Sequence, residues 1–432
     1  MHNVTLNLIG SAALVLASSG VSAAACPAAP ASLTVASPFA DTSRHSVHTQ
    51  GIWAIWYETG AIPKSEAEYV ASYLESVRCD SLTDHGLREP PNVNYGQRVN
   101  IYIHDPERND GFSDEWSNGV GSHDYPDIPY MTLPIGAHLD PANLAHEGFH
   151  IFQFNSNSPG FAYEGDSGWF IEATANWFSV RKEPDAEDAY ATIGAIAGNP
   201  HLALWHGFDN AQPGDPIHWM TETRQYGMHI FLNYLSEYAG LPADAVSSGF
   251  VAGTNKTPQE FVADQIGHER MAKGWADFAV HLAASYVGGD GSPMPNWFLT
   301  ERQRQYAFDE RRWLVADDPM RGIENDIAAT VEIGQTDWTV PPRRLRPRPW
   351  SFNVVEVANP TGLAQLEVGA EEGSNMRLRL AVLRGSKWDI SKVSSGDRLD
   401  FESAERALLV LAPTPKGYTG HQPFAYQLRL LK

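Results

Sequence analysis

The strongest constraint on the fold is a short segment, residues 139–154, in which imidazole and carboxylate side chains stand among apolar ones. Asp140 is a typical N-cap residue, and Pro141 fits the first helical position, where its missing N–H costs nothing. The segment therefore predicts a helix that begins at Pro141. Most of its other positions predict burial, because they are the apolar residues Leu144, Ala145, Phe149, Ile151 and Phe152.

Three polar side chains of this helix need partners if the helix is buried. His146 and His150 are four residues apart, so both imidazoles project from one face, a spacing that lets them bind a single zinc ion. Glu147 lies beside that face and could reach a zinc-bound water as a general base without being a ligand. The structural alternative is two core histidines beside an ion-paired Glu147, since a string this short also arises by chance.

A catalytic zinc usually takes three protein ligands, so one more donor is expected downstream. The pattern H-E-x-x-H-x-x-G-x-x-H would need glycine and histidine at the positions of Gln153 and Ser156, which excludes that class. A second helix is predicted to start at Ser167, which can cap it, and this helix carries Glu172, 22 residues beyond the second histidine. Asn176 lies one turn later on the same face, where it could orient a ligand histidine.

Two strings carry a family resemblance: H-E-G-F-H at 146–150 and E-A-T-A-N at 172–176. Through them the chain resembles the gluzincin type of zinc metallopeptidases, the group that includes thermolysin. The resemblance covers two helices and implies a zincin-like catalytic domain, a Zn²⁺ cofactor and a protein or peptide substrate. The G-A-M-E-N string of the aminopeptidase gluzincins does not occur in the chain, which favours an endopeptidase.

The resemblance also implies roles for individual residues. His146, His150 and Glu172 correspond to the zinc ligands, and Glu147 corresponds to the base that activates water. Asn176 stands where thermolysin-like enzymes have an aspartate. A strand near residues 130–133 would be the edge strand along which an extended substrate pairs.

Amide hydrolysis also needs a donor for the developing oxyanion, usually a tyrosine or a histidine. Residues 220–235 predict one helix with Tyr226 and His229 on related faces, so either side chain could point into the cleft. Core packing is the alternative for both, since aromatic residues at helical spacing usually serve a core.

The region before the first string predicts a small sheet with helices. Ser65 and Glu68 form a capping-box pattern, and apolar residues at helical spacing follow, so a helix is expected at 65–79. Alternation with period two predicts a strand at 98–103. We therefore expect a lead-in with a helix at 26–95 and a zincin metallopeptidase domain at 96–338.

The C-terminal part has a different pattern. Residues 339–349 are rich in proline and arginine, which predicts a stiff linker or a stretch that lies on an acidic domain. Short alternating runs separated by turn residues follow in 350–432 and predict an antiparallel β-sandwich. The runs are 350–357, 364–368, 376–383, 406–411 and 424–431.

The N-terminus and the charge balance restrict location and partners. Residues 1–25 resemble an export signal without basic residues at the start, which indicates a secreted or periplasmic protein; a frayed helix is the alternative. Cys26 follows directly, so a lipoprotein is a minor alternative, and a disulfide to Cys79 is favoured over a thiol function. No later segment has the roughly 20 apolar residues of a membrane span. The net charge of −21 argues against nucleic acid as a partner.

The sequence thus predicts an α+β protein: a zincin-like domain with a small sheet and the two motif helices, followed by an antiparallel β-sandwich. The predicted function is that of a secreted zinc-dependent metallopeptidase. The alternative from another class is a secreted binding or adhesion protein whose metal site is structural or vestigial.

Overall fold

The structure is a computed structural model that describes residues 26–36, 43–105, 118–124, 127–207, 219–237, 240–287, 307 and 327–432. The predicted signal peptide at 1–25 lies outside these residues. The described part is a mixed α/β protein with a sheet-rich C-terminal region.

The α-helices lie between residues 64 and 287. They are α1 (Lys64–Thr83), α2 (Pro91–Asn94), α3 (Pro141–Gln153), α4 (Gly168–Lys182), α5 (Glu187–Ala191), α6 (Ile193–Gly198), α7 (Trp219–Gly227), α8 (His229–Glu237), α9 (Ala243–Ser248), α10 (Pro258–Ile266) and α11 (His268–Val287).

Strands lie at both ends of the described chain. The N-terminal ones are β1 (His45–Gln50), β2 (Trp53–Glu58), β3 (Val99–His104), β4 (Gly119–Asp124) and β5 (Asp127–Pro134). The C-terminal ones are β6 (Ile327–Glu332), β7 (Asn353–Ala358), β8 (Leu363–Ala370), β9 (Met376–Arg384), β10 (Lys387–Val393), β11 (Arg398–Asp400), β12 (Arg406–Pro413) and β13 (Tyr426–Leu431).

The N-terminal sheet has the strand order β1-β2-β3-β5-β4. β2, β3 and β5 run parallel, and the two outer strands pair antiparallel with their neighbours. The strand predicted near 130–133 is present within β5, but the prediction that it forms the sheet edge is wrong. β4 pairs with the side of β5 that faces away from β3, so β4 is the edge strand among the described residues.

Local signals explain where the helices begin. The Asp140 side chain accepts a hydrogen bond from the backbone N–H of Ala142 at 2.9 Å, which confirms the predicted start of α3. The capping box predicted at Ser65 is wrong: α1 begins one residue earlier, after extended Pro63, and no side chain caps it. Proline fits immediately before or at a helix start because its fixed φ suits the turn and it lacks an N–H to satisfy.

α1, α3 and α4 are packed together beside the N-terminal sheet. Gly148 of α3 marks the closest approach, because a Cβ at this position would lie 2.9 Å from Cδ2 of Leu74 and 3.1 Å from Cγ1 of Val77. The glycine inside H-E-G-F-H therefore lets α1 press against α3. This contact holds the face with the two histidines on the side away from α1.

Cys26, at the start of the described chain, lies close to Cys79 of α1. Both are free thiols, so the predicted disulfide is not formed in the structure. Arg78 joins the same contact: its buried guanidinium donates to the Pro27 carbonyl and pairs with Glu75. The chain at Cys26 and Pro27 is thus attached to α1 by polar contacts.

The C-terminal strands form two sheets, in the orders β10-β9-β12-β7-β6 and β11-β8-β13. Side chains from both sheets share one buried apolar cluster, so the sheets pack face to face. The five predicted runs are confirmed as β7, β8, β9, β12 and β13. The prediction of a purely antiparallel sandwich is wrong, because β6 pairs parallel with β7. Since β6 begins at Ile327, the sheet includes residues that lie before the predicted linker.

The proline- and arginine-rich segment 339–349 lies on the helical region. The backbone N–H of Arg348 donates to the carbonyl of His201 at 3.0 Å, and that of Phe352 donates to Pro200 at 2.9 Å. Leu345, in a short 3₁₀ turn, is buried. These contacts correspond to the predicted alternative of a stretch that lies on the preceding domain.

The C-terminal sheet and the helices share one apolar core. α11 lies against β9 and β12, and Nε1 of its Trp275 donates to the carbonyl of Ser351 at 3.0 Å. Side chains from the sheet and from the residues just before β7 belong to the same buried cluster as α1, α3 and α4; they are Trp350, Phe352, Val354, Ala381, Leu408, Val410 and Ala412. The C-terminal region therefore covers apolar surface of the helices.

We expect a chain that ends at residue 338 to lose cooperative folding. The cut removes the sheet partner of β6 and uncovers Trp275. Burial of one large apolar side chain contributes roughly 1.5–3 kcal/mol to the free energy of unfolding. The loss of several such contributions is as large as the whole free energy of unfolding of a typical domain, about 5–15 kcal/mol. Thermal melts followed by circular dichroism, with the 26–432 chain as control, check this. A sharp cooperative melt of the monomeric short chain would contradict it.

Candidate metal centre

The polar groups of α3 and α4 meet at one point. Nε2 of His146 lies 3.1 Å from Nε2 of His150 and 3.2 Å from Oε2 of Glu172. The same oxygen is 3.3 Å from Nε2 of His150. All three side chains are about nine-tenths buried, with 9–12% of their surface exposed. The structure thus brings together the three residues that the sequence predicts as ligands.

The spacing of these three atoms fits a small cation. A tetrahedral ion with nitrogen and oxygen ligands at about 2.0–2.1 Å keeps neighbouring donors roughly 3.3–3.4 Å apart. The observed triangle has sides of 3.1–3.3 Å. One ion above it could contact all three donors with only a small adjustment.

The hydrogen bond of His146 fixes which ring nitrogen faces the centre. Nδ2 of Asn176 donates to the backbone carbonyl of Tyr226 at 3.2 Å, so its amide oxygen must point the other way. That oxygen lies 2.7 Å from Nδ1 of His146. Because an amide oxygen only accepts, Nδ1 carries the proton, and a neutral ring then presents the Nε2 lone pair to the centre.

His150 is oriented in the same way by Gln153. The amide nitrogen of Gln153 donates to the Ile171 carbonyl at 3.2 Å and to Oγ1 of Thr174 at 2.7 Å. Its oxygen therefore faces Nδ1 of His150, 2.6 Å away. Sequence reasoning considered Gln153 only as a departure from another zinc pattern. Its position three residues after His150, on the same side of the helix, was the available signal.

This arrangement needs a positive charge at its centre. Two nitrogen lone pairs and a carboxylate oxygen face one another in a buried space, where three electron-rich atoms repel one another strongly. Burial alone would raise the pKa of Glu172, but the charges and hydrogen bonds of His150 and His146 outweigh it and hold that pKa far below its usual range. Burial lowers the pKa of His150, but Glu172 outweighs it and raises that pKa. A proton or a metal cation satisfies this demand.

Glu147 lies beside the triangle. One of its oxygens is within 4.8 Å of the two imidazole nitrogens, so His146, Glu147 and His150 form a buried group that could hold a metal ion. Burial raises the pKa of the Glu147 carboxyl. Its Oε1 accepts a weak hydrogen bond from Asn118 at 3.5 Å, just before the edge strand β4.

The structure separates the two candidates for an oxyanion donor. The ring of Tyr226 stacks on His146 with a centroid distance of 5.9 Å, and burial followed by the charge of Glu172 raises the pKa of its hydroxyl. His229 is fully buried, its Nδ1 contacts the carbonyl of Tyr226 at 3.0 Å, and its ring packs on Tyr190. Tyr226 borders the centre, whereas His229 packs behind it.

The single helix predicted at 220–235 is wrong, because the chain forms α7 and α8 with a break at Met228. Gly227 at the end of α7 is pressed against the Thr192 carbonyl, which a Cβ would approach to 2.5 Å. Tyr226 and His229 lie on either side of this break and have different surroundings. Helical periodicity cannot reveal such a break, since the apolar pattern continues through it.

The C-terminal region holds the start of α4. Ser167 occupies the N-cap position, but its side chain makes no capping bond, contrary to the prediction. Instead, Asp166 accepts hydrogen bonds from the N–H of Gly420 at 2.9 Å and from Nε2 of His421 at 2.7 Å. The helix that carries Glu172 is thus anchored by a loop more than 240 residues downstream.

Comparison with known proteins does not extend this picture. No protein-family model matches the chain, and no curated protein matches it. Among the described residues, no helix has the length and apolar character needed to cross a membrane. The geometry of the centre is therefore the basis for assigning a function.

We expect Gln153→Ala to weaken metal binding by about 10–100-fold, the usual effect of removing a group that orients a ligand histidine. The His150 ring loses the acceptor that holds its Nδ1 proton. Competition between the protein and a chromophoric chelator for Zn²⁺ or Co²⁺ measures this. Gln365→Ala, at an exposed position of β8, is the matched control. Unchanged affinity in a folded Gln153→Ala protein would show that Gln153 does not orient the ligand.

Proposed function

We propose that the protein is a zinc-dependent metallopeptidase with an active site of the gluzincin type. The observation that carries the proposal is the convergence of His146, His150 and Glu172 on one buried point, with Glu147 beside it. This is the donor set of a catalytic zinc site, which uses three protein ligands and keeps a further position open.

The donor chemistry favours zinc over harder cations. Two imidazole nitrogens and one carboxylate oxygen suit Zn²⁺, whereas Mg²⁺ and Ca²⁺ prefer oxygen ligands in larger number. When bound, zinc would act as a Lewis acid that polarises a carbonyl and acidifies water. His146, His150 and Glu172 would hold it, and Asn176 and Gln153 would keep the two imidazoles in the required tautomer.

Glu147 is suited to move the proton. Its carboxylate is buried beside the centre, and among the described residues no side-chain cation forms a salt bridge with it. In the proposed reaction Glu147 takes a proton from the attacking water and delivers it to the leaving nitrogen. The C–N bond breaks, and the products are a carboxylate and an amine.

Tyr226 is the proposed oxyanion donor. Its ring lies on His146, and the hydroxyl is close enough to Glu172 and Glu147 for their charges to act on it. A phenol O–H aimed at the reacting carbonyl would stabilise negative charge as it develops. The packing of His229 against the backbone of Tyr226 supports the position of the tyrosine.

The edge strand β4 supports a peptide substrate. It has no further strand neighbour among the described residues, so its outer backbone groups can pair with an extended peptide. It also runs beside the centre, because Asn118 contacts Glu147 and Gly119 lies near the same carboxylate. Pairing along β4 would bring a peptide bond to Glu147. This assigns to β4 the role predicted for residues 130–133.

The rival proposal is a binding protein that uses the metal only to hold α3 to α4. It shares the metal ligands but gives Glu147 no chemical role. The sequence of residues 1–25 supports a secreted or periplasmic location for either protein. The two proposals differ in whether hydrolysis accompanies metal binding.

We expect Glu147→Gln to keep the fold and the metal and to lose hydrolysis by at least about 10²–10⁴-fold, because the amide cannot accept the proton. Hydrolysis of an unstructured protein, with and without chelator, gives the activity, and metal analysis gives the zinc content. Glu237→Gln, at an exposed position of α8, is the control.

Three outcomes would contradict the proposal. Near wild-type hydrolysis by Glu147→Gln would remove the mechanism, and equal loss of zinc would make Glu147 a ligand. Zinc binding by the wild type without hydrolysis would favour the binding protein. Glu172→Ala is the contrasting variant, since it should lose zinc and hydrolysis together.

We expect Tyr226→Phe to lower kcat by about 10²–10³-fold, the usual effect of removing one oxyanion donor, with zinc content unchanged. The ring that stacks on His146 is retained, so the packing of the ligand stays intact. Steady-state kinetics on a peptide substrate check this, with exposed Tyr95→Phe as control. An unchanged kcat would assign the donor elsewhere.

A further inference from the structure

A basic groove lies between the first half of α11 and strands β9 and β10. It has a volume of about 530 Å³, and its lining contains five basic side chains but only two acidic ones, Glu269 and Asp277. The basic residues are Arg270, Lys273, Arg377, Arg379 and Lys392. An excess of three positive charges in one groove is unusual in a chain whose net charge is −21.

The sheet places like charges directly opposite each other in this groove. Arg379 of β9 is the register partner of Lys392 in β10, so both side chains leave the same face of the sheet. Arg377 lies two residues along β9 and shares that face. Like charges opposite each other on neighbouring strands are destabilising unless negative charge lies between them.

The acidic residues of the groove neutralise only part of this charge. Asp277 is shared by Arg379 at 2.7 Å and Lys273 at 3.4 Å, while Glu269 pairs with Arg377 at 2.7 Å. The structure shows no ion pair for Arg270 or Lys392 among the described residues. Arg379 is 3% exposed, so one of the cations is buried in the groove wall.

We propose that this groove binds a small phosphorylated molecule or phosphate ion that carries at least two negative charges. Guanidinium groups bind phosphate oxygens in pairs, and Lys392 adds a point charge from the opposite strand. A volume of about 530 Å³ is within the range of small-molecule sites. The overall negative charge of the chain opposes long polyanions, so the groove suits a small ligand. This site is independent of the metal centre.

Isothermal titration of the full chain, at constant ionic strength, tests the proposal with inorganic phosphate, pyrophosphate and phenyl phosphate as probes and chloride as the background anion. We expect pyrophosphate to bind. The double variant Arg270→Gln/Lys392→Gln should lose affinity by roughly tenfold or more, because two charge-assisted contacts are removed. Lys387→Gln should bind as the wild type does, since Lys387 lies on the same strand but on its opposite face.

The probes also identify the source of the phosphate group. Tighter binding of phenyl phosphate than of inorganic phosphate supports an esterified ligand, and the reverse supports a free ion. If the double variant without ligand melts at a lower temperature than the wild type, Lys392→Gln alone replaces it in the test. We expect this single variant to lose less affinity than the double variant. The proposal is overturned if no probe binds, if chloride competes as well as pyrophosphate, or if affinity survives in the folded variants.

Discussion

Two imidazole nitrogens and one carboxylate oxygen face one another across 3.1–3.3 Å inside this protein, and the described structure around them is arranged to keep them there. Such a cluster is unfavourable without a positive charge, because lone pairs and a carboxylate in a buried space repel one another. The fold supplies the restraint through two amides. Asn176 and Gln153 each donate to backbone carbonyls at one end, and each accepts from an imidazole at the other.

These restraints depend on how α3 and α4 are held. Gly148 lets α1 press on α3, and the loop near Gly420 anchors Asp166 at the start of α4. The C-terminal sheets are therefore part of the framework of the centre, although they contribute none of the three converging donors. The faces of the two sheets that meet form one apolar core. Trp350 and neighbouring side chains belong to a second apolar core, which is shared with the helices. Burial on both faces makes the five-stranded sheet a layer between two cores.

Much of the fold followed from local patterns. The start of α3 at Pro141 and the strand that became β3 were predicted because a cap, a proline and an apolar period are local signals. Predictions failed where tertiary contacts replaced local ones. Ser167 does not cap α4, since Asp166 is bound by the C-terminal loop. β6 and β10 were missed because edge strands expose one side and have a weak apolar pattern.

What the sequence by itself determined is the chemistry of the centre: the spacing of His146, Glu147 and His150 on one helix follows from helical geometry alone. Glu172 could be proposed as their companion, but only the crossing of α3 and α4 sets it 3.2–3.3 Å from both imidazoles. Tertiary structure also gives Tyr226 and His229 different surroundings, because the ring of Tyr226 stacks on His146 whereas His229 is fully buried. The sequence determines which side chains can donate a lone pair, whereas long-range packing determines whether these side chains meet at one point.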